Sequence, residues 1–154
     1  MTQHKNLLLN NQLCFALYAA TNSIIRYYRI YLNEIGITYT QYLVLLVLWE
    51  SETSSIKDIA KVLKLDSPTI TPIIQKLEKM NLVKRKRSSL DERVVEVSLT
   101  KSGEDLEDQV ADIQNKVACK THLKTKEFNE LKETLNNLAE TMAVKEKKLN
   151  SLLK

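Results

Sequence analysis

SIKDIAKVLK (55–64) and SPTITPIIQKLEKM (67–80), followed by LVKRKRSSLDERVVEVSLT (82–100), decide the fold of this chain. In the first segment Ile56, Ile59, Ala60 and Leu63 recur every three or four residues, as one face of a helix requires. Ser55 and Asp58 stand three apart, a pattern that satisfies the free N–H groups of a helix start. In the second, Ile70, Ile73, Ile74, Leu77 and Met80 form the inward face and leave Thr69, Thr71, Gln75, Lys76 and Lys79 outward. Ser67 reads as its N-cap and Pro68 as its first residue, where a missing N–H costs nothing. Pro72 removes one helical hydrogen bond and bends the first turn. Beyond Asn81 the period drops to two, Val95, Val97 and Leu99 alternating with Val94, Glu96 and Ser98. Two strands with SSLDE between them therefore make a hairpin. Two short helices joined by the turn KLDS and followed by a hairpin outline a winged helix-turn-helix over 55–100.

Outward from this core the chain reads as helical on both sides. Leu9, Leu13, Leu17, Ala20, Ile24, Tyr28 and Tyr31 form one stripe of a long helix, expected to start at Asn10 or Asn11 and to end before Gly36. That places Cys14 about one turn from its N-terminus. Thr38 and Gln41 cap a second helix running to about Ser51, whose segment LVLLVLW is apolar on all sides and suits burial between other elements. Thr100 is positioned to cap a fifth helix with stripe Leu106, Val110, Ile113 and Val117, running to about Thr121. Thr125 is positioned to cap a sixth, where Phe128, Leu131, Leu135, Leu138 and Met142 continue loosely through Leu149 and Leu152. A terminal stripe this regular points to a second copy of the chain, against the simpler arrangement in which it folds back on the first helix. The expected architecture is a single domain, 1–154, mainly α with a small β-hairpin wing, in which helices at 7–34 and 101–154 build a homodimer.

Composition narrows the classes. With 154 residues, 44% of them hydrophobic, one domain with a real core is expected, and two Gly and two Pro against 27% charged residues indicate long helices and few loops. A net charge of +4 suits an anionic partner such as nucleic acid without requiring one. Two cysteines are no disulfide framework, and no signal peptide is evident at the N-terminus. The longest apolar run, Leu43–Trp49, falls far short of the roughly 20 residues of a membrane span. A cytoplasmic protein without a membrane partner is expected. Cys119 and His122 lie one helical turn apart, but no second pair completes a zinc site, so neither metal nor cofactor is expected.

A helix-turn-helix places the start of its second helix against base edges in the major groove of double-stranded DNA. Here that start presents Ser67, Thr69, Thr71 and Gln75, with Lys76 beside them. Hydroxyls and an amide suit bases, although Ser and Thr also serve phosphates, and Ser67 doubles as a helix cap. Lys84, Arg85, Lys86 and Arg87 give the hairpin a positive edge, and Arg93, with Asp91 placed to orient it, suits the narrow minor groove. Taken alone, the basic run also reads as a solvated edge strand guarded against aggregation.

These residues carry a resemblance. LDSPTITPIIQKLEKMNLVKRKRSSLDERVVEVSLTKSG is similar to the winged-helix core of the MarR family of transcriptional regulators, including the DxR pattern of the wing at Asp91 and Arg93. NQLCFALYAA and ITYTQYLVLLVLWE resemble the organic hydroperoxide resistance regulators within it, so that nearly the whole chain is covered. The resemblance implies a wing arginine in the minor groove, a reactive cysteine at Cys14, and hydrogen bonds to that thiol from tyrosines matching Tyr28 and Tyr39. VACKTHL resembles the second-cysteine region of the two-cysteine members, which implies an intersubunit disulfide between Cys14 and Cys119 after oxidation. Pro68 stands where these regulators usually have Gly and Gln75 where a basic residue is common, which bears on recognition-helix entry and operator preference.

Elementary geometry adds a constraint. Cys14 and Tyr28 are 14 residues apart on one helix, hence about 21 Å apart at 1.5 Å per residue. Within one chain they do not touch; an antiparallel copy of the helix brings the tyrosines to the thiol, and Tyr18, one turn on from Cys14, is placed to line the same pocket. By position alone Cys14 reads as a small buried hydrophobe, and the match around it assigns the sensing role. The expectation is a repressor released from an inverted-repeat operator when organic hydroperoxide oxidises Cys14. Two alternatives stand beside it: a MarR-type regulator answering to a small ligand in the dimer cleft, and a thiol-dependent enzyme. The enzyme is disfavoured because His4 and His122 are the only histidines and neither lies near Cys14 in sequence.

Overall fold

The computed structural model describes residues 4–143, which fall into two compact units divided between Val117 and Ala118. The first holds α1 (Leu13–Glu34), α2 (Tyr39–Ser51), β1 (Thr53–Ser55), α3 (Ile56–Val62), α4 (Ser67–Lys79), β2 (Val83–Arg87), β3 (Val95–Leu99), α5 (Lys101–Glu104) and most of α6 (Glu107–Lys120). The second holds the end of α6 and α7 (Thr125–Thr141).

The core sits around α2, α3, α4 and the sheet. Val44, Leu45 and Leu48 of α2 pack with Ile59, Ile70, Ile74, Leu77 and Val97, all almost wholly removed from water. The all-round apolar sequence of α2 thus makes it the pillar of the first unit. Its start is fastened as expected: the Thr38 N–H donates to Gln41 Oε1 at 2.7 Å while the Gln41 N–H donates to Thr38 Oγ1 at 3.3 Å. At its far end the Trp49 indole donates to the Gly103 carbonyl at 3.1 Å. Gly103 is obligatory there, since a Cβ would stand 2.1 Å from the Leu82 carbonyl oxygen.

Several element boundaries differ from the expectation. Neither Asn10 nor Asn11 caps α1; they lie in the second of two 3-10 turns, and the helix begins at Leu13 after Gln12. Cys14 is therefore the second helical residue, and Leu9 lies outside α1. Asp66, not Ser67, caps α4, its carboxylate accepting the Thr69 N–H at 2.7 Å, so Ser67 is the first helical residue and Pro68 the second. A carboxylate caps at least as well as a hydroxyl, and Pro68 is tolerated at either position. Lys124, not Thr125, precedes α7, its N–H donating to Glu127 at 2.9 Å. The fifth helix divides into α5 and α6 at Asp105 and Leu106. Met80 is partly exposed, its sulfur accepting from Gln41 Nε2 at 3.6 Å.

The hairpin is joined by a third strand. β1 pairs antiparallel with β3 from Thr53 opposite Ser98 to Ser55 opposite Glu96, giving the order β1-β3-β2. On its other side β3 pairs with β2, Val83 opposite Leu99 and Arg87 opposite Val95. The end of α1 closes as Gly36 foretold: Gly36 takes φ 74 and the Ile37 N–H reaches back to the Leu32 carbonyl. In the second unit α7 buries none of its residues; Phe128, Leu131, Leu135 and Met142 are exposed along one stripe. The expected continuation through Leu149 and Leu152 lies outside the described residues. No helix among the described residues is long and apolar enough to cross a membrane.

Candidate DNA interface and thiol site

The start of α4 presents Thr69, Gln75 and Lys76 exposed and Ser67 half-buried. Thr71, expected outward, is half-buried instead, and its hydroxyl donates back to the Ser67 carbonyl at 2.8 Å. A threonine at this depth satisfies its hydroxyl within its own helix.

The basic run does not act as one edge, because strand pleating sends alternate residues to opposite faces. Arg85 is tied to Glu78 of α4, its Nε donating at 2.8 Å. This pairing holds the Glu78 carboxyl below, and the Arg85 guanidinium above, their ordinary values, mainly through the hydrogen bond between them. Arg87 Nη1 donates to the Glu92 carbonyl at 2.9 Å and so braces the hairpin loop. Lys84 borders a recess lined also by Glu52, Glu104 and Glu107. Lys86 makes no hydrogen bond or ion pair among the described residues. Of the four, three are engaged within the fold or faced by its own carboxylates.

Arg93 is oriented differently from the expectation. Asp91 accepts from the backbone N–H of Arg93, at 3.0 Å, and fixes the turn; its bond is not to the guanidinium. The Arg93 side chain lines a cleft together with Ser55, Lys57 and Ser67, and neither it nor Lys57 has an ionic or hydrogen-bonding side-chain partner among the described residues. The acids nearby are spent on the backbone or on caps: Asp58 with Ser55, Asp66 with Thr69, Asp91 with Arg93. Two uncommitted cations, Lys57 and Arg93, beside Ser67 on one cleft suit a phosphate. Lys57 was not singled out from sequence; its position in the first turn of α3 was the available signal.

In the thiol region, α1 exposes Cys14 and also exposes Leu13, Phe15, Tyr18, Ile24, Tyr27 and Ile30, leaving an apolar surface open over most of the helix. Tyr18 is 66% exposed. Near the other end of α1, Tyr28 is 9% exposed and forms a cluster with Tyr39 and Tyr42 of α2, with ring centroids 5.1 to 5.7 Å apart. Tyr28 and Tyr42 are stacked, and their hydroxyls approach to 3.5 Å. Burial raises the Tyr39 phenol above its ordinary value, with the Tyr28 charge adding to it. Burial, then the hydrogen bond to Tyr28, raises the Tyr42 phenol as well. Tyr42 escaped the sequence reading because, inside an all-apolar helix, it looked like core. Cys119 is exposed in the last turn of α6. No cluster of ligating side chains suited to a metal occurs among the described residues.

A family described as transcriptional regulator SarA/Rot matches residues 26–110. The organic hydroperoxide resistance transcriptional regulator of Bacillus subtilis is 41% identical over 134 residues, 87% of this chain and 91% of its own length. The HTH-type transcriptional regulator SarZ of Staphylococcus epidermidis is 40% identical over 133 residues, 86% of this chain and 90% of its own. Among solved structures, reduced AbfR bound to DNA aligns over 99% of this chain and 100% of that one, with a TM-score of 0.76 and 32% identity. Disulfide-formed AbfR aligns over 87% and 89% respectively, with a TM-score of 0.63 and 36% identity.

Proposed function

Because the chain belongs to the SarA/Rot family of MarR-type transcriptional regulators, and is a DNA-binding regulator rather than an enzyme, we propose that it is a redox-sensing repressor, released from an inverted-repeat operator when organic hydroperoxide oxidises Cys14. The observation that carries this reading is the placement of α1. Its thiol is exposed at one end, three clustered phenols stand at the other, and apolar side chains lie open between them. An antiparallel second copy covers the apolar surface and brings Tyr28 and Tyr39 to Cys14 of the partner subunit.

In the reduced dimer the two α4 helices address successive major grooves, Thr69 and Gln75 toward bases and Ser67 and Lys76 toward phosphate, while the Thr71 hydroxyl stays committed to the Ser67 carbonyl. Arg93, on the loop that Asp91 fixes, enters the minor groove, and Lys57 reaches the neighbouring backbone. Lys84, Arg85, Lys86 and Arg87 supply positive potential behind these contacts.

Oxidation begins when the Cys14 thiolate attacks a peroxide oxygen. The O–O bond breaks, the sulfur is oxidised by two electrons to a sulfenic acid, and the peroxide leaves as the alcohol. The thiolate of Cys119 from the partner subunit then attacks the sulfenic sulfur, forming the disulfide and releasing water. Loss of the phenol–thiolate hydrogen bonds shifts the interface and moves the two wings out of register with the operator. A hundredfold loss of affinity needs only about 2.7 kcal/mol. The relatives support this chemistry, since AbfR has been seen reduced on DNA and with a disulfide formed.

Mass spectrometry after one equivalent of cumene hydroperoxide tests the assignment: modification or cross-linking of Cys14 is expected, and an unmodified Cys14 contradicts it. The second outcome favours a regulator answering to a small ligand, for which the recess lined by Tyr42, Leu46, Trp49 and Val110 is one apolar cavity of the first unit. Oxidised protein should run as a dimer in non-reducing electrophoresis, and Cys119→Ser should abolish that band; its persistence removes Cys119 from the bridge.

A further inference from the structure

Resting on the reading that Tyr28 donates to Cys14 of the partner subunit, we propose that Tyr42 is a positioning residue of the thiol site, donating its proton to Tyr28 and thereby committing the Tyr28 proton to the thiolate. Tyr42 is 4% exposed, and the Tyr28 hydroxyl, 3.5 Å away, is its one hydrogen-bonding partner among the described residues. No buried side-chain oxygen among the described residues lacks a partner, so this contact is how the Tyr42 phenol is satisfied.

Two proton orders are open to such a pair. If Tyr28 donates to Tyr42, the Tyr42 proton has no other acceptor among the described residues, and a donor left unmade at a largely buried position is costly. If Tyr42 donates to Tyr28, both are satisfied, and the Tyr28 proton is free to point out of the cluster. Burial and the stacked ring fix where the Tyr42 oxygen stands and leave the Tyr28 hydroxyl as the acceptor within its reach. A phenol that already accepts a hydrogen bond is also a stronger donor to the next group. Tyr42 thus acts on the sulfur through Tyr28, without touching it.

The test is the pH profile of Cys14 alkylation by iodoacetamide in the reduced full-length protein, with Cys119→Ser removing the second thiol. Tyr28→Phe should move the profile to higher pH. Tyr42→Phe, which keeps the ring stack, should move it the same way by less, lowering the neutral-pH rate roughly threefold, the size of one modest hydrogen bond passed through a neighbour. The double variant should match Tyr28→Phe alone. Substituting 3-fluorotyrosine at position 42, nearly isosteric and a stronger donor, should move the profile to lower pH and guards against a folding defect in the phenylalanine variant. A Tyr42→Phe profile that overlays the wild type, or a shift that persists in the Tyr28→Phe background, overturns the role of Tyr42. A Tyr28→Phe profile that does not move overturns the underlying reading as well.

Discussion

The stretch from α2 to β3 and the N-terminal half of α1 are built on opposite principles. In the first, apolar side chains meet one another, helix starts are capped, and Arg85 and Arg87 of the wing have intramolecular partners. In the second, Leu13, Phe15, Tyr18 and Ile24 are exposed, Cys14 with them, and the N-cap Gln12 makes no side-chain cap. The first is complete within one chain and the second is not. On the proposed reading the two serve different ends: the body reads DNA, and the open surface is completed by another copy and disturbed by an oxidant.

Truncation breaks this comparison most strongly where packing is complete. Leu45→Ala, at a fully buried position of α2, should cost roughly 3 kcal/mol of stability, read by denaturant unfolding. A loss below about 1 kcal/mol contradicts the packed body. On the open side, Leu131→Asp on α7, where the side chain is 47% exposed, should leave the folded chain intact but shift sedimentation from dimer to monomer and weaken operator binding at least tenfold. A dimer that survives removes α7 from the interface. Within the body, committed and uncommitted cations should separate. Arg93→Ala should weaken DNA binding several-fold and lower the slope of log affinity against log salt by about one, a larger change than Arg85→Ala, whose guanidinium is held by Glu78. Equal slopes for the two variants contradict the distinction.

The smallest effect concerns the cap of α4. Hydrogen bonding from Thr69, through its side chain and then its backbone N–H, holds the Asp66 carboxyl below the usual carboxylate range. A carboxyl depressed by folding contributes stability that is present above its unfolded value, near 4, and lost as pH falls toward its folded one. Asp66→Asn keeps an acceptor for the cap while removing that titration, so melting temperature should fall less steeply below about pH 4 than in the wild type. An identical pH dependence contradicts the assignment.

The body was the more legible of the two regions in sequence. Periodicity placed α3 and α4, and a capping pair with an all-round apolar run placed α2; Thr38 and Ser55 cap the helices they were expected to cap, while Thr100 caps the short α5 and not the helix that carries the expected stripe. Burial enforces such patterns, since one face of each element must be apolar. β1 was missed because Thr53–Ser55 is three polar residues long, and its pairing with β3 is set by tertiary contact rather than by alternation. The starts of α4 and α7 were each displaced by one residue, since Asp66 competes with the Ser67 hydroxyl as a cap and Glu127 reaches back to the Lys124 N–H in place of a cap by Thr125. In the wing the residues were found and their partners were not: nothing local in KRKR says that Arg85 turns to Glu78 or Arg87 to the Glu92 carbonyl. Cys14, Tyr28 and Tyr39 came from resemblance joined to helix geometry. Tyr42 became visible only when the rings of α1 and α2 were seen together.

The central claim, that Cys14 decides when the protein binds while α4 and the wing decide where, is tested most directly by titrating organic hydroperoxide into the operator complex of the wild type beside Cys14→Ser. Wild-type protein should leave the DNA at about one equivalent of peroxide per subunit, and Cys14→Ser should bind the operator and remain bound throughout. Release of Cys14→Ser at the same peroxide concentration would contradict the account.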